Sequence, residues 1–427
     1  MPFSEDFLHY LWKFRLFNKQ EFKTSQGENI KIINVGLHNK NAGPDFENAK
    51  ILLGDTVWAG SVEIHLCSSD WENHKHQQDR AYDNVILHVV YIHDKEITRN
   101  DSTEIPVLVL KDLIPDNLSL KYSQLMRSLQ WIPCEAQIQA VDAFHVKSWL
   151  SRILIERLEE KSVLVNSLLI EFKGSWDDAF YITLANNFGF KTNSLPFEFL
   201  ARSLPQQILA RHKNNPLQIE ALLFGQAGFL NADFKDDYPS KLKKEYIFLK
   251  EKYSLNAMDL FIWKYMRMRP LNFPTVRIAQ FAALIVKSSH LFSKIIEVKD
   301  VKNIRLMFES LEVNSYWETH YRFDHSSSKI SKQIGLQSIN NILINTVALF
   351  LFSYGKTIKQ QLLIDQAIFL LENLPPETNH IVSGFKKIGI QVKNADESQA
   401  VLQLKRKYCD VKKCLHCGIG TKILNFL

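Results

Sequence analysis

The stretch "NAGPDFENAKILLGDTVWAGSVEIHLCSSDWENHKH", residues 41–76, decides how this chain is read. Turn residues Gly43 and Pro44 precede one extended run, Gly54 and Asp55 separate it from a second, and a polar segment begins at Ser68. Side chains alternate along a strand, so Glu63, His65 and Cys67 fall on one face while Val62, Ile64 and Leu66 fall on the other. A carboxylate and an imidazole therefore point the same way. Asp45, eighteen positions before Glu63, follows a Gly-Pro turn that presents its carboxylate at a strand edge.

Outward from this stretch, "NIKIINVG", "NVILHVVYIHD" and "IPVLVL" are further short-period runs, and "DFLHYLWKFRLFN" has helical spacing at Phe7, Leu8, Leu11, Phe14 and Phe17. Residues 1–125 thus read as an α/β domain, one helix and a mixed sheet of about five strands. From about residue 140 the period becomes 3.6, beginning with "DAFHVKSWLSRILIERLEEK", where Asp142 is the expected N-cap and Phe144, Trp149, Ile153, Leu154 and Leu158 form an apolar stripe. Residues 126–427 read as a mainly α-helical domain, and the whole as α+β. "EVNSYWETHYRFDHSSSKIS" is the most loop-like central stretch, and the Gly225–Gly228 run is too short to mark a phosphate loop.

A chain of 427 residues with 46% apolar content has material for two or three cores, which argues against disorder. Its formal charge of +6 tolerates an anionic partner without demanding one. Glu5 and Asp6 stand where a secretory signal needs basic residues, and no apolar run reaches the roughly 20 residues that cross a bilayer. A cytoplasmic protein with no membrane partner is expected. Five cysteines in such a chain point to metal or redox chemistry rather than to disulfides.

Two carboxylates brought together from neighbouring strands suit Mg²⁺ or Mn²⁺, which prefer oxygen ligands. Pro44-Asp45 followed by Glu63-Ile64-His65, inside a helix-then-sheet segment, resembles the PD-(D/E)XK nuclease superfamily, with histidine in place of its lysine. The resemblance covers roughly the first 110 residues. It implies that Asp45 and Glu63 hold a divalent ion that activates water against DNA or RNA, with His65 as base, ligand or mark of a site that binds without cutting. The whole chain, including "NAGPDF", "VEIH", "SDWENHKH" and the cysteine-rich tail, also resembles an uncharacterised bacterial family catalogued as a domain of unknown function.

Beyond that signature, His74 is a candidate phosphate or metal contact, His76 reads as surface loop, and His88 reads as a hydrogen-bonded core histidine. Glu63, His65, His74 and His76 around zinc would make a hydrolase of another class, and a non-catalytic nucleic-acid-binding or scaffold protein is a further alternative. Arg267 and Arg269, interleaved with aromatic residues in "FIWKYMRMRPLNFPTVR", are candidate substrate contacts through phosphate. Cys409, Cys414 and Cys417 have the spacing C-x4-C-x2-C, which wraps a zinc ion or an iron–sulfur cluster given a fourth ligand. Cys134, Cys67 and His416 are the choices. Cys134 is favoured by resemblance to nuclease families that close a cluster with one upstream cysteine.

Overall fold

The computed structural model describes residues 3–19, 21–288, 290–298, 300–329 and 331–425. The chain divides into two compact units, Met1–Trp149 with Leu404–Leu427, and Leu150–Gln403. The 125/126 division read from the sequence falls inside the first unit, which also takes in the cysteine-rich tail.

In the first unit, helix α1 (Glu5–Phe14) carries Glu5 and Asp6 in its first turn, where the helix dipole favours negative charge, and Lys13 in its last. It buries Phe7, Leu8, Tyr10, Leu11 and Trp12, the face that the 3.6 spacing demands. The sheet has seven strands: β1 (Phe22–Lys23), β2 (Asn29–Asn34), β3 (Leu37–His38), β4 (Phe46–Leu53), β5 (Thr56–Cys67), β6 (Val85–Ile92) and β7 (Val107–Val109). The two beyond the expected five are the two-residue strands β1 and β3, too short to show a period in sequence.

Strand order is β1-β2-β4-β5-β6-β7, with β3 on β4. The pairs from β1 to β5 are antiparallel, whereas β6 runs parallel to β5 and β7 parallel to β6. A parallel pair needs a crossover, which the segment from Ser68 supplies with helix α2 (Asp70–Asn73) and two 3₁₀ turns, His76–Gln78 and Arg80–Tyr82. Gly60 makes the close approach possible at the start of β6: a Cβ there would lie 2.4 Å from the Asn84 carbonyl oxygen, which accepts from Ser61 N. Val62, Glu63, Ile64 and His65 are all buried, so β5 is covered on both faces where it pairs with β6.

Helix α3 (Asp116–Arg127) follows, then α4 (Ala143–Glu171), which continues into the second unit. Asp142 caps α4 as expected, accepting from His145 N at 3.1 Å. Ile153, Leu154 and Leu158 are buried, but Phe144 is 81% exposed and lies outside the stripe.

The second unit is helical. Its helices include Trp176–Phe188, Phe190–Ser203, Pro216–Gln226, Asp237–Tyr253 and Pro274–Lys287, and Phe188 and Phe197 pack on Phe281 in its core. Gly225 lies within Pro216–Gln226, where an added Cβ would stand 2.1 Å from the Tyr246 ring; it is a helix-packing glycine. The loop-like stretch of the sequence contains a two-stranded ribbon, His320–Arg322 with His325–Ser326. Among the described residues one helix, Leu336–Thr357, is long and apolar enough to cross a bilayer, and 72% of its most apolar window is buried.

Candidate functional site

The Gly43-Pro44 turn, with Gly43 at φ 107°, delivers Asp45 to the head of β4 beside the middle of β5. Asp45 N donates to Glu63 Oε2 at 3.0 Å, and Ile64 N donates to Asp45 Oδ2 at 2.9 Å. The Glu63 carboxylate is thus pinned to the backbone of Asp45, and the Asp45 carboxylate to the backbone of Ile64, the next residue after Glu63. Asp45 Oδ2 also lies 3.1 Å from Nε2 of His9, which projects from α1.

The crossover brings in two more histidines. Asp70 accepts from Cys67 N at 3.0 Å and fixes the start of α2, whose C-cap is His74. Residues two apart share a face only in an extended segment, yet His74 and His76 converge because Lys75 between them adopts a left-handed conformation, φ 62°. His76 then stacks on Tyr82, ring centroids 3.9 Å apart, and stands edge-on to the buried Trp71.

At the centre, His65 Nε2 lies 3.1 Å from His74 Nδ1 and 3.4 Å from Glu63 Oε1, and His76 Nε2 lies 3.4 Å from that same oxygen. The ligand atoms of His65, His74 and His76 all fall within 4.8 Å of one another. Although His76 Nε2 is buried and close to Glu63, it is not aligned for a hydrogen bond and is left unsatisfied. On its far side His65 Nδ1 meets His88 Nε2 at 2.9 Å, and His88 is fully buried next to Glu63 in the β5–β6 register. His88 is therefore a hydrogen-bonded core histidine, as expected, with His65 as its partner. His76 is not the loose surface residue expected, since its side chain is 11% exposed.

Burial sets the protonation states. It lowers the His65 pKa to about 3 and that of His76 to about 4, assisted by the neighbouring imidazoles, so both rings are neutral and keep lone pairs for a ligand. Burial, with Asp45 nearby, raises Glu63 to about 9. For His9 burial opposes the charge, but contact with Asp45 outweighs it and the pKa rises. Neutral His65 and His76 beside a carboxyl group held in its neutral form are what a cation would reorganise.

The donor set fits a metal ion. Zn–N and Zn–O distances of about 2.0–2.1 Å put tetrahedral ligand atoms about 3.3–3.4 Å apart, and the three contacts at the centre measure 3.1, 3.4 and 3.4 Å. His88, hydrogen-bonded to the far nitrogen of His65, would be the outer partner that orients this imidazole on a metal. Asp45, Glu63, His65 and His74 from the sequence reading are brought together; His9 is added to them. It was hidden because it lies in an amphipathic helix between Leu8 and Tyr10, with no local motif.

Arg267 and Arg269 lie in the second unit, exposed on a pocket that also contains Lys191 and Arg277. Arg277 is 5% exposed, donates to Gln280, Asn272 and Ser338, and lies 4.4 Å above the Phe190 ring, with Nε unpartnered. These partners are all neutral, and burial lowers its pKa to about 10. Among the described residues this buried guanidinium has only neutral hydrogen-bond partners.

The chain matches a family described as a protein of unknown function (DUF2851) over residues 5–380, and it belongs to that family. The match takes in every residue of the N-terminal centre and the arginine pocket, and it stops before Cys409. No curated protein and no solved structure matches the chain.

Proposed function

We propose that the first unit is a metal-dependent hydrolase of phosphodiester bonds, with a zinc-class ion held by His65, His74, His76 and Glu63. The observation that carries the reading is the convergence of three imidazole ligand atoms within 4.8 Å of one another, with Glu63 Oε1 3.4 Å from two of them. Three imidazoles favour a transition metal over Mg²⁺, so zinc, or manganese in its place, is preferred to the all-oxygen site that Asp45 and Glu63 alone would make. Such an ion supplies a Lewis acid and lowers the pKa of a bound water.

The protein groups then have distinct tasks. Neutral His65 cannot provide the fixed positive charge of a lysine; it serves as a ligand, its ring held by His88. Asp45 braces Glu63 through its backbone N–H and faces His9 Nε2, leaving His9 Nδ1 as the basic nitrogen that exchanges a proton. Contact with Asp45 holds the His9 pKa above the ordinary histidine value despite its burial.

Phosphodiester substrates are supported by two observations. Asp45 at the head of one antiparallel strand, Glu63-x-His65 on the next, and a crossover to a parallel strand agree with the resemblance to PD-(D/E)XK nucleases. In the second unit, the pocket of Arg267, Arg269 and Arg277 offers a contact for nucleic-acid phosphate. The test is cleavage of labelled single- and double-stranded DNA and RNA with Zn²⁺, Mn²⁺ or Mg²⁺. Cleavage with Zn²⁺ or Mn²⁺ that disappears in His76→Ala is expected. Metal binding without cleavage of any substrate would favour the non-catalytic alternative.

A further inference from the structure

The tail folds back on the segment between α3 and α4, all within the first unit. Lys412 Nζ donates to the Met126 carbonyl, and His145 Nε2 lies 2.8 Å from the Gly418 carbonyl across 273 positions of sequence. Two glycines allow the fit: a Cβ on Gly418 would stand 2.7 Å from the Trp149 ring, and one on Gly420 would stand 2.3 Å from the Cys414 carbonyl oxygen. Cys409 ends a π-helical turn (Lys405–Cys409), Cys414 opens a 3₁₀ turn (Cys414–His416), and Cys417 precedes helix Gly418–Asn425. The three tail cysteines thus sit on successive turns of different pitch, and Cys134 lies in the segment between α3 and α4.

We propose that Cys134, Cys409, Cys414 and Cys417 hold an iron–sulfur cluster through four thiolates. Cys134, Cys414 and Cys417 are 6–7% exposed, all four are free of disulfides, and each lies within electrostatic reach of others in the set. The other candidates for fourth ligand fall away. Cys67 lies with Asp70 and Asp94 at the end of β5, and His416 is exposed between two ligands.

Ligation binds the four sulfurs as thiolates, with release of their protons. Around Cys417 the backbone N–H groups of Ile419 and Gly420 are directed at the sulfur. The spacing selects the cofactor. Four thiolates on one zinc lie about 3.8 Å apart, as Zn–S bonds of about 2.3 Å require. Among the described residues these cysteine sulfurs form no group of three within 4.8 Å of one another, so they are spread more widely than ligands of one zinc ion, as around a cluster with several metal atoms.

The test uses the full chain carrying His76→Ala, so that the N-terminal centre contributes little metal. Protein purified without oxygen, and the same protein treated with ferrous iron and sulfide, is assayed for iron, labile sulfide and zinc, and its visible spectrum is recorded. Iron and sulfide in equal amounts, with visible charge-transfer absorption, are expected. Cys134→Ser and Cys417→Ser should each lose most of the iron, whereas Cys67→Ser should keep it. Far-UV circular dichroism on each variant separates loss of ligand from loss of fold. Zinc in place of iron in both preparations, or no metal in either, would overturn the cluster; full iron in a folded Cys134→Ser chain would overturn the four-cysteine set.

Discussion

Adding metal to metal-free protein should raise the melting temperature of the first unit by an amount set by binding alone. A ligand that binds only the folded state stabilises it by about 2.7 kcal/mol at one hundred times its dissociation constant. The first unit comprises roughly 170 residues, for which each kcal/mol moves the midpoint by about 2–4 °C, so the expected rise is about 5–11 °C. His76→Ala removes one of the four ligand atoms and two aromatic stacks, on Tyr82 and on His65. Losing a ligand should weaken binding at least as much as the 10–100-fold typical of outer-shell changes. At the same metal concentration a 100-fold weaker site gains only about 0.4 kcal/mol, which is about 1 °C. In the absence of metal the variant should be within about 3 kcal/mol of wild type, the scale of two aromatic pairs. Differential scanning calorimetry with and without Zn²⁺, on both proteins, measures all four midpoints. A wild-type midpoint that ignores metal, or a His76→Ala shift equal to that of wild type, would refute the four-ligand centre.

Asp45→Asn should leave zinc affinity within about tenfold of wild type, while cutting phosphodiester cleavage by the 10²–10⁴-fold typical of lost acid–base catalysis; single-turnover kinetics beside metal titration separate the two. Arg269→Ala should weaken nucleic-acid binding uniformly across sequences and reduce the slope of log affinity against log salt by about 1, measured by fluorescence anisotropy at several salt concentrations. Glu220 is buried with its pKa raised from 4.5 to about 7, so its contribution to stability is present below pH 4.5 and is lost as pH rises to about 7. That contribution is roughly 3 kcal/mol at most, and Glu220→Gln should flatten urea-denaturation stability across this window; an unchanged pH profile would contradict it.

The parts of this molecule that a sequence shows well are those with a short period. The alternation in "SVEIHLC" placed Glu63 and His65 together, and the Gly-Pro turn placed Asp45 beside them, because both features are local consequences of backbone geometry. The helical second unit was equally legible from its 3.6 spacing. Convergence through an irregular crossover was not. His76 enters the centre only because Lys75 takes a left-handed conformation that its residue type does not announce. His9 enters through packing of α1 near Asp45, a contact 36 positions apart in sequence with no motif to mark it. Phe144 shows the converse failure: it fits the stripe of α4 by spacing, yet lies in the first turn, before the buried part of that stripe begins.

The central claim is that an ion sits where His65, His74, His76 and Glu63 meet. Anomalous diffraction from crystals grown with zinc, recorded on either side of the zinc absorption edge, tests it most directly. The expected result is one strong peak in the first unit at about 2.0–2.2 Å from His65 Nε2, His74 Nδ1, His76 Nε2 and Glu63 Oε1. A map with no peak among those four atoms, or with zinc bound only at the tail cysteines, would contradict it.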